Sequence, residues 1–203
     1  MSTGRRNRIA PDGTFHAVPD RGGMFGNRGQ LLGRDATLAR PFQVQRWIVC
    51  LLEFRGRRRE QWRPDRYTEL YFLDEATALA AGHRPCAECR RPAYNAFRAA
   101  WQRAFDLERP PRAGEMDAVL HASRWAGGEP HRTFEAELAE LPDGAVVAAD
   151  DAWWLVEGDR LREWTFGGYR AERERTAVSG LVTVLTPRAT VEVLRAGYRP
   201  AAP

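Results

Sequence analysis

The sequence contains no lysine, so all 31 of its basic residues are arginine. It has three cysteines, Cys50, Cys86 and Cys89, and its only serines are Ser2, Ser123 and Ser179. No apolar run approaches the roughly 18–20 residues of a membrane span. Each scarcity excludes something. An odd number of cysteines disfavours a disulfide framework and fits a reducing, cytoplasmic setting. The polar, basic start is followed by no apolar stretch, so neither a signal peptide nor a membrane partner is expected. No serine stands in a Gly-x-Ser-x-Gly elbow, which leaves serine hydrolysis unsupported. An arginine-only basic set is what a GC-rich genome produces, and part of the arginine excess carries no functional information.

What is present fits an ordinary globular chain. There are 203 residues, 43% hydrophobic and 29% charged, enough to bury one sizeable core. The net charge is +4. Residues 1–70 hold 14 arginines against 7 acidic residues, whereas residues 116–203 hold 10 against 14. A basic front half points to a polyanionic partner.

Patterning divides the chain into a Gly/Arg-rich segment (1–45), a central unit (46–107) and a C-terminal unit (116–203). Met1–Asp12 is expected to fray, and Arg21–Gly29 reads as an ordered loop anchored by Met24 and Phe25. Arg46–Phe54 and Trp62–Leu73 read as two strands of a β-hairpin around a charged turn. Asp74 is a good N-cap and Gly82 a good terminator for a short helix over Glu75–Ala81. Tyr94, Phe97, Trp101 and Phe105 recur at helical spacing, predicting a helix over Pro92–Leu107, and the prolines of 108–115 mark a linker. Further on, the sequence predicts a short helix over Arg132–Leu141. Strands follow at Ala145–Ala149, Ala152–Glu157, Leu161–Trp164 and Ser179–Thr186, and a closing helix at Pro187–Ala196. The fold class is α+β: hairpin, helix, knuckle and helix, followed by a small β-rich unit closed by a helix.

The sharpest chemical signal is His83-Arg84-Pro85-Cys86-Ala87-Glu88-Cys89. A Cys-x-x-Cys turn aims two thiolates the same way and offers backbone N–H groups to the sulfurs, which is half of a tetrahedral zinc site. No second pair exists, so the four-ligand candidate is Cys50, Cys86, Cys89 and His83, with zinc as cofactor. Pro85–Cys89 also matches a fragment of zinc nucleoside deaminases, but their upstream His-x-Glu or Cys-x-Glu is missing. His16-Ala17-Val18 lacks the Glu, and Cys50-Leu51-Leu52-Glu53 is one residue too long. His121, His131, Asp150 and Asp151 form no recognisable catalytic set.

Tyr71–Pro92, with its aromatic strand, its helix ending Ala-Ala-Gly and its Arg-Pro-Cys-x-x-Cys, resembles the second half of the metal-binding domain of Ada-type DNA repair proteins. The likeness covers about a tenth of the chain. It implies a small zinc module that contacts DNA. The family's first cysteine pair, with its methyl-accepting thiolate, would fall at Arg55 and Arg59, so methyl transfer does not carry over. The Phe25–Gly29 stretch and the segment from Leu185 to Pro200 also resemble a bacterial protein family, which implies no function. Together with the charge asymmetry, these features predict a zinc-stabilised nucleic-acid-binding protein, with DNA as the partner and a possible link to repair. Arg55, Arg57, Arg58, Arg59, Arg63, Arg84, Arg90 and Arg91 are the candidate phosphate contacts. The alternatives are a metal-dependent nuclease or repair enzyme, and a metal-free structural or protein-interaction module. The oligomeric state is left open.

Overall fold

A computed structural model describes residues 5–56, 62–63, 65–125 and 132–201. The chain is an α+β protein of two six-stranded sheets and, among the described residues, four α-helices. The first sheet takes β1 (Arg8–Ile9), β2 (Phe15–His16), β3 (Met24–Asn27), β4 (Ile48–Cys50), β5 (Leu70–Phe72) and β6 (Arg84–Pro85), in the order β2-β1-β5-β3-β4-β6. The second takes β7 (Phe134–Glu137), β8 (Val146–Ala149), β9 (Ala152–Glu157), β10 (Arg160–Thr165), β11 (Gly168–Glu174) and β12 (Leu181–Val184), in the order β11-β10-β9-β8-β12-β7. The helices are α1 (Glu75–Ala80), α2 (Arg91–Ala104), α3 (Ala113–Arg124) and α4 (Arg188–Arg195).

The expected hairpin does not form. β4 and β5 lie on opposite sides of β3, which the glycine pattern had suggested was a loop. Gly26 explains both the strand and its disguise. A Cβ there would stand 2.5 Å from the Ile48 carbonyl oxygen and 2.8 Å from the Phe72 ring, so only glycine fits between the two neighbouring strands. The N-terminal segment does not fray from Arg5 onward, because Ile9 and Ala10 are buried and β1 pairs with β5. The expected linker gives way to α3 at Ala113, and the expected helix over 132–141 is strand β7 followed by a 3-10 turn at Leu138–Glu140. β11 carries no apolar alternation, and the sequence predicts no strand there.

The short helix and the two later helices form as their residues dictate. Asp74 caps α1 by accepting from the Thr77 amide at 2.8 Å and the Thr77 hydroxyl at 2.7 Å. All six residues of α1 are buried. α2 turns Tyr94, Phe97, Ala100 and Trp101 inward, against Val191, Leu194 and Tyr198 of the C-terminal region. That largest apolar cluster also holds Met116 and Leu120 of α3 and Val147, Val156, Leu161 and Val184 of the second sheet. It therefore joins residues on both sides of the 107–116 division.

Buried ion pairs lock the elements together. Arg84 makes a two-pronged bond to Asp117 of α3 at 2.8 Å on each prong, and both side chains are buried. Arg90 does the same to Glu75 at 2.8 and 2.6 Å. Glu75 also accepts from the Tyr198 hydroxyl at 2.5 Å and the Ala201 amide at 2.7 Å. Removing one partner of such a pair strands a buried charge, at a cost of about 3–5 kcal/mol. Asp117→Ala is therefore expected to lower stability by about that amount in a denaturant melt. A loss below about 1 kcal/mol, the scale of an exposed pair, would show that Arg84 finds water instead.

Candidate metal centre

β4 and β6 run parallel, with Ile48 opposite Arg84 and Val49 opposite Pro85. The next step in register brings Cys50 to Cys86, and the Cys86 amide bonds to the Val49 carbonyl at 2.9 Å. After Cys86 the chain turns, closed by an Arg90 amide to Cys86 carbonyl bond at 3.2 Å, and enters α2. That turn presents Cys89 beside the other two. The three sulfurs lie within 4.8 Å of one another. Sulfurs around a tetrahedral zinc sit about 3.8 Å apart, given Zn–S bonds of about 2.3 Å, so the cluster is near the spacing a metal needs.

The surroundings suit thiolates. Phe25 and buried portions of Ile48 and Tyr71 wall the cluster. The Glu88 amide reaches the Cys86 sulfur at 3.4 Å. The Cys89 amide also serves Cys86, and the Leu51 amide serves Cys89. A hydrogen bond from Cys50 lowers the pKa of Cys86 to about 5, and giving that bond raises the pKa of Cys50. Burial raises Cys89. Arg90, at the end of the turn, places a positive charge near Cys89. The donor set thus favours one resident thiolate and resists the next two unless a cation neutralises them.

His83 is not a fourth ligand. It does not belong to the group of ligand atoms within 4.8 Å of one another, and it is fully buried among other partners. Its Nδ1 faces the Ala81 carbonyl at 3.1 Å and its Nε2 accepts from Arg28 at 3.3 Å. Phe72 and Trp47 rings stand 4.6 and 5.4 Å away. Among the described residues, no other group of three metal-ligating side chains comes together. Asp150 and Asp151 occupy the β8–β9 turn with φ of +50° and +57°, and His131 lies outside the described residues.

Two of the candidate phosphate contacts are also internal. Arg84 and Arg90 sit in the ion pairs above, so neither faces solvent, and they cannot belong to a basic surface. Arg55 and Arg91 are exposed, and Arg63 pairs with Asp65 at 2.9 Å. Arg57, Arg58 and Arg59 lie outside the described residues. The aromatic residues of the second sheet are structural: Trp164 donates to Thr77 at 2.8 Å and Tyr169 to Asp74 at 2.6 Å, so both tie that sheet to α1.

Comparison with family models, with curated proteins and with solved structures returned no match. No helix among the described residues is long and apolar enough to cross a membrane.

Two outcomes follow from the titration chemistry. In metal-free protein, ultraviolet thiolate absorbance should retain one thiolate down to about pH 5, absent in Cys86→Ser. Complete loss of thiolate signal near the ordinary thiol value of about 8.5 would contradict the hydrogen-bonded arrangement. His83 is held well below its usual range, first by burial and then by Arg28 and Arg124. The unfolded chain takes up a proton near pH 6.5 that the folded chain refuses, so stability is full above that value and falls below it. Melting temperature should therefore drop from about pH 7.5 to about pH 5.5, and the drop should shrink in His83→Gln. Equal slopes in the two proteins would refute it.

Proposed function

We propose that this is a zinc-stabilised nucleic-acid-binding protein in which Cys50, Cys86 and Cys89 hold the metal. The observation that carries the reading is the meeting of three sulfurs from two separate chain segments within 4.8 Å. Soft thiolates select zinc over hard cations. A tetrahedral ion would take one further ligand beyond these three. Bound there, zinc would neutralise the thiolates and cross-link β4 to the turn that begins α2, which makes its role structural. Arg90 and the Glu88, Cys89 and Leu51 amides would share the remaining negative charge.

The nucleic-acid part rests on two supports. One is the likeness of Tyr71–Pro92 to the metal-binding domain of Ada-type repair proteins. The other is the basic front half, with 14 arginines against 7 acidic residues over residues 1–70. DNA is the partner that likeness favours. Methyl transfer is not part of the reading, since arginines stand where the family's accepting cysteine pair would be.

Electrostatic binding to phosphates releases counterions, so affinity should fall steeply as salt rises. Fluorescence anisotropy with labelled single-stranded and duplex DNA should show binding at low salt that weakens at least about tenfold from roughly 50 to 200 mM salt. Stripping zinc with a chelator should lower the melting temperature and weaken this binding, because the binding energy of a structural metal adds to folding stability. Absence of binding at low salt, or binding indifferent to salt, would sink the reading.

A further inference from the structure

The sequence directs attention to the arginines around the Cys-x-x-Cys turn, but the structure gathers others. Arg5, Arg8 and Arg21 line one groove of about 560 Å³ on the first sheet, together with Asn7, Leu52 and Tyr71. Three arginines thus border one groove, and among the described residues no carboxylate lines it, although the Arg5 guanidinium also stands 5.8 Å from the Trp62 ring centroid and the charge of nearby Asp20 acts on Arg8. Arg5 and Arg21 are exposed. Arg8 is held in place from both ends: its Nε donates to the Asp20 carbonyl at 2.5 Å and its Nη1 to Asn7 at 2.7 Å. Its guanidinium lies over the Tyr71 ring, 4.8 Å from the centroid.

The groove is built by the backbone. Arg21 precedes Gly22, whose position lies so close to β5 that a Cβ would meet the Phe72 carbonyl oxygen at 2.5 Å. The Gly23 amide then bonds to the Leu73 carbonyl at 3.0 Å. This draws Arg21 down beside Tyr71, while β1 brings Arg8 alongside Tyr71 in parallel register. Opposite, Leu52 follows two residues after Cys50 and is 44% exposed. Tyr71 meanwhile packs against Phe25 at 6.2 Å and belongs to the wall of the thiol cluster. Groove and sulfurs therefore share a side chain and a strand end.

We propose that this groove is the contact site for one strand of a nucleic acid, a placement that rests on the nucleic-acid reading above. Guanidiniums interleaved with an aromatic ring and an exposed leucine match a chain that alternates phosphate and base. Arg5 and Arg21 take phosphate oxygens through their planar forks. Arg8, fixed by its two hydrogen bonds, sets the register. The strand passes over Leu52 toward the exposed Arg55.

The test uses full-length, metal-loaded protein and anisotropy with a labelled single-stranded oligonucleotide and with the same sequence as duplex. Arg5→Gln/Arg21→Gln removes two charges from the groove without touching the Arg8 bonds. Arg109→Gln/Arg195→Gln removes two charges elsewhere, flanking α2 and in α4, and controls for net charge. Zinc content and melting temperature of both variants should match those of the unaltered protein. The expected result is a loss of single-strand affinity of about tenfold or more in the groove variant. Its log–log salt slope should be shallower by about 0.7 per phosphate contact removed, and the control should be unaffected. If the unaltered protein binds and the groove variant binds equally well, the groove is overturned and the nucleic-acid reading stands. Equal losses in the control, or binding to duplex alone, would overturn the groove as well. No binding by the unaltered protein would overturn both.

Discussion

Three sulfur atoms share one apolar pocket at the edge of the first sheet, and the surrounding architecture is arranged to bring them there. One thiolate can be accommodated, because Cys50 and two backbone amides hydrogen-bond the Cys86 sulfur. Ionising all three in that space is prohibitive without a cation. A soft divalent metal held there would offset the repulsion and add a cross-link between β4 and the turn that leads into α2. The ion pairs Arg84–Asp117 and Arg90–Glu75 flank the turn on its two sides, fixing β6 to α3 and the start of α2 to α1. The knuckle is therefore preorganised by groups that are not ligands.

Arginine has an unusual part in this interior. Arg28 and Arg124 stack on the Trp47 ring at 4.1 and 4.0 Å from its centroid. Among the described residues, neither is paired to a carboxylate. Arg28 donates to the Gly13 carbonyl and to His83, and Arg124 to the Gly82 and Gln45 carbonyls. Burial lowers the pKa of Arg28 to about 9, which still leaves it charged at neutral pH. A weakly hydrated, planar cation tolerates such a setting better than an ammonium would. Several of the front half's positive charges are thus internal struts. The charge count therefore overstates the basic surface, and the groove we propose for a polyanion is lined by Arg5, Arg8 and Arg21 rather than by the arginines of the knuckle.

The sequence disclosed local chemistry better than long-range pairing. Asp74 and Gly82 bracket α1, the spacing of Tyr94, Phe97 and Trp101 marks α2, and the short apolar runs Ala145–Ala149 and Ala152–Glu157 mark β8 and β9. The Cys-x-x-Cys turn and the inclusion of Cys50 were legible because few thiols exist to choose from. The strand pairing was not legible. β4 and β5 look like a hairpin because they are successive apolar runs, but the strand between them comes from residues 24–27, where Gly26 hides the pattern it makes possible. The expectation of His83 as a ligand fails for a related reason. Its nearness in sequence to Cys86 says nothing of direction, and the helix terminator at Gly82 turns it toward Arg28 and Phe72. Arg84 and Arg90 look like surface charges until Asp117 and Glu75 are brought to them by the fold.

The account stands on the three sulfurs acting together on one ion. The most direct measurement is the metal content of natively purified protein by elemental mass spectrometry, alongside Cys50→Ser, Cys86→Ser and Cys89→Ser. The account predicts about one zinc per chain, lost or sharply reduced in each of the three variants. No metal in the unaltered protein, or zinc retained when Cys50 alone is replaced, would contradict it.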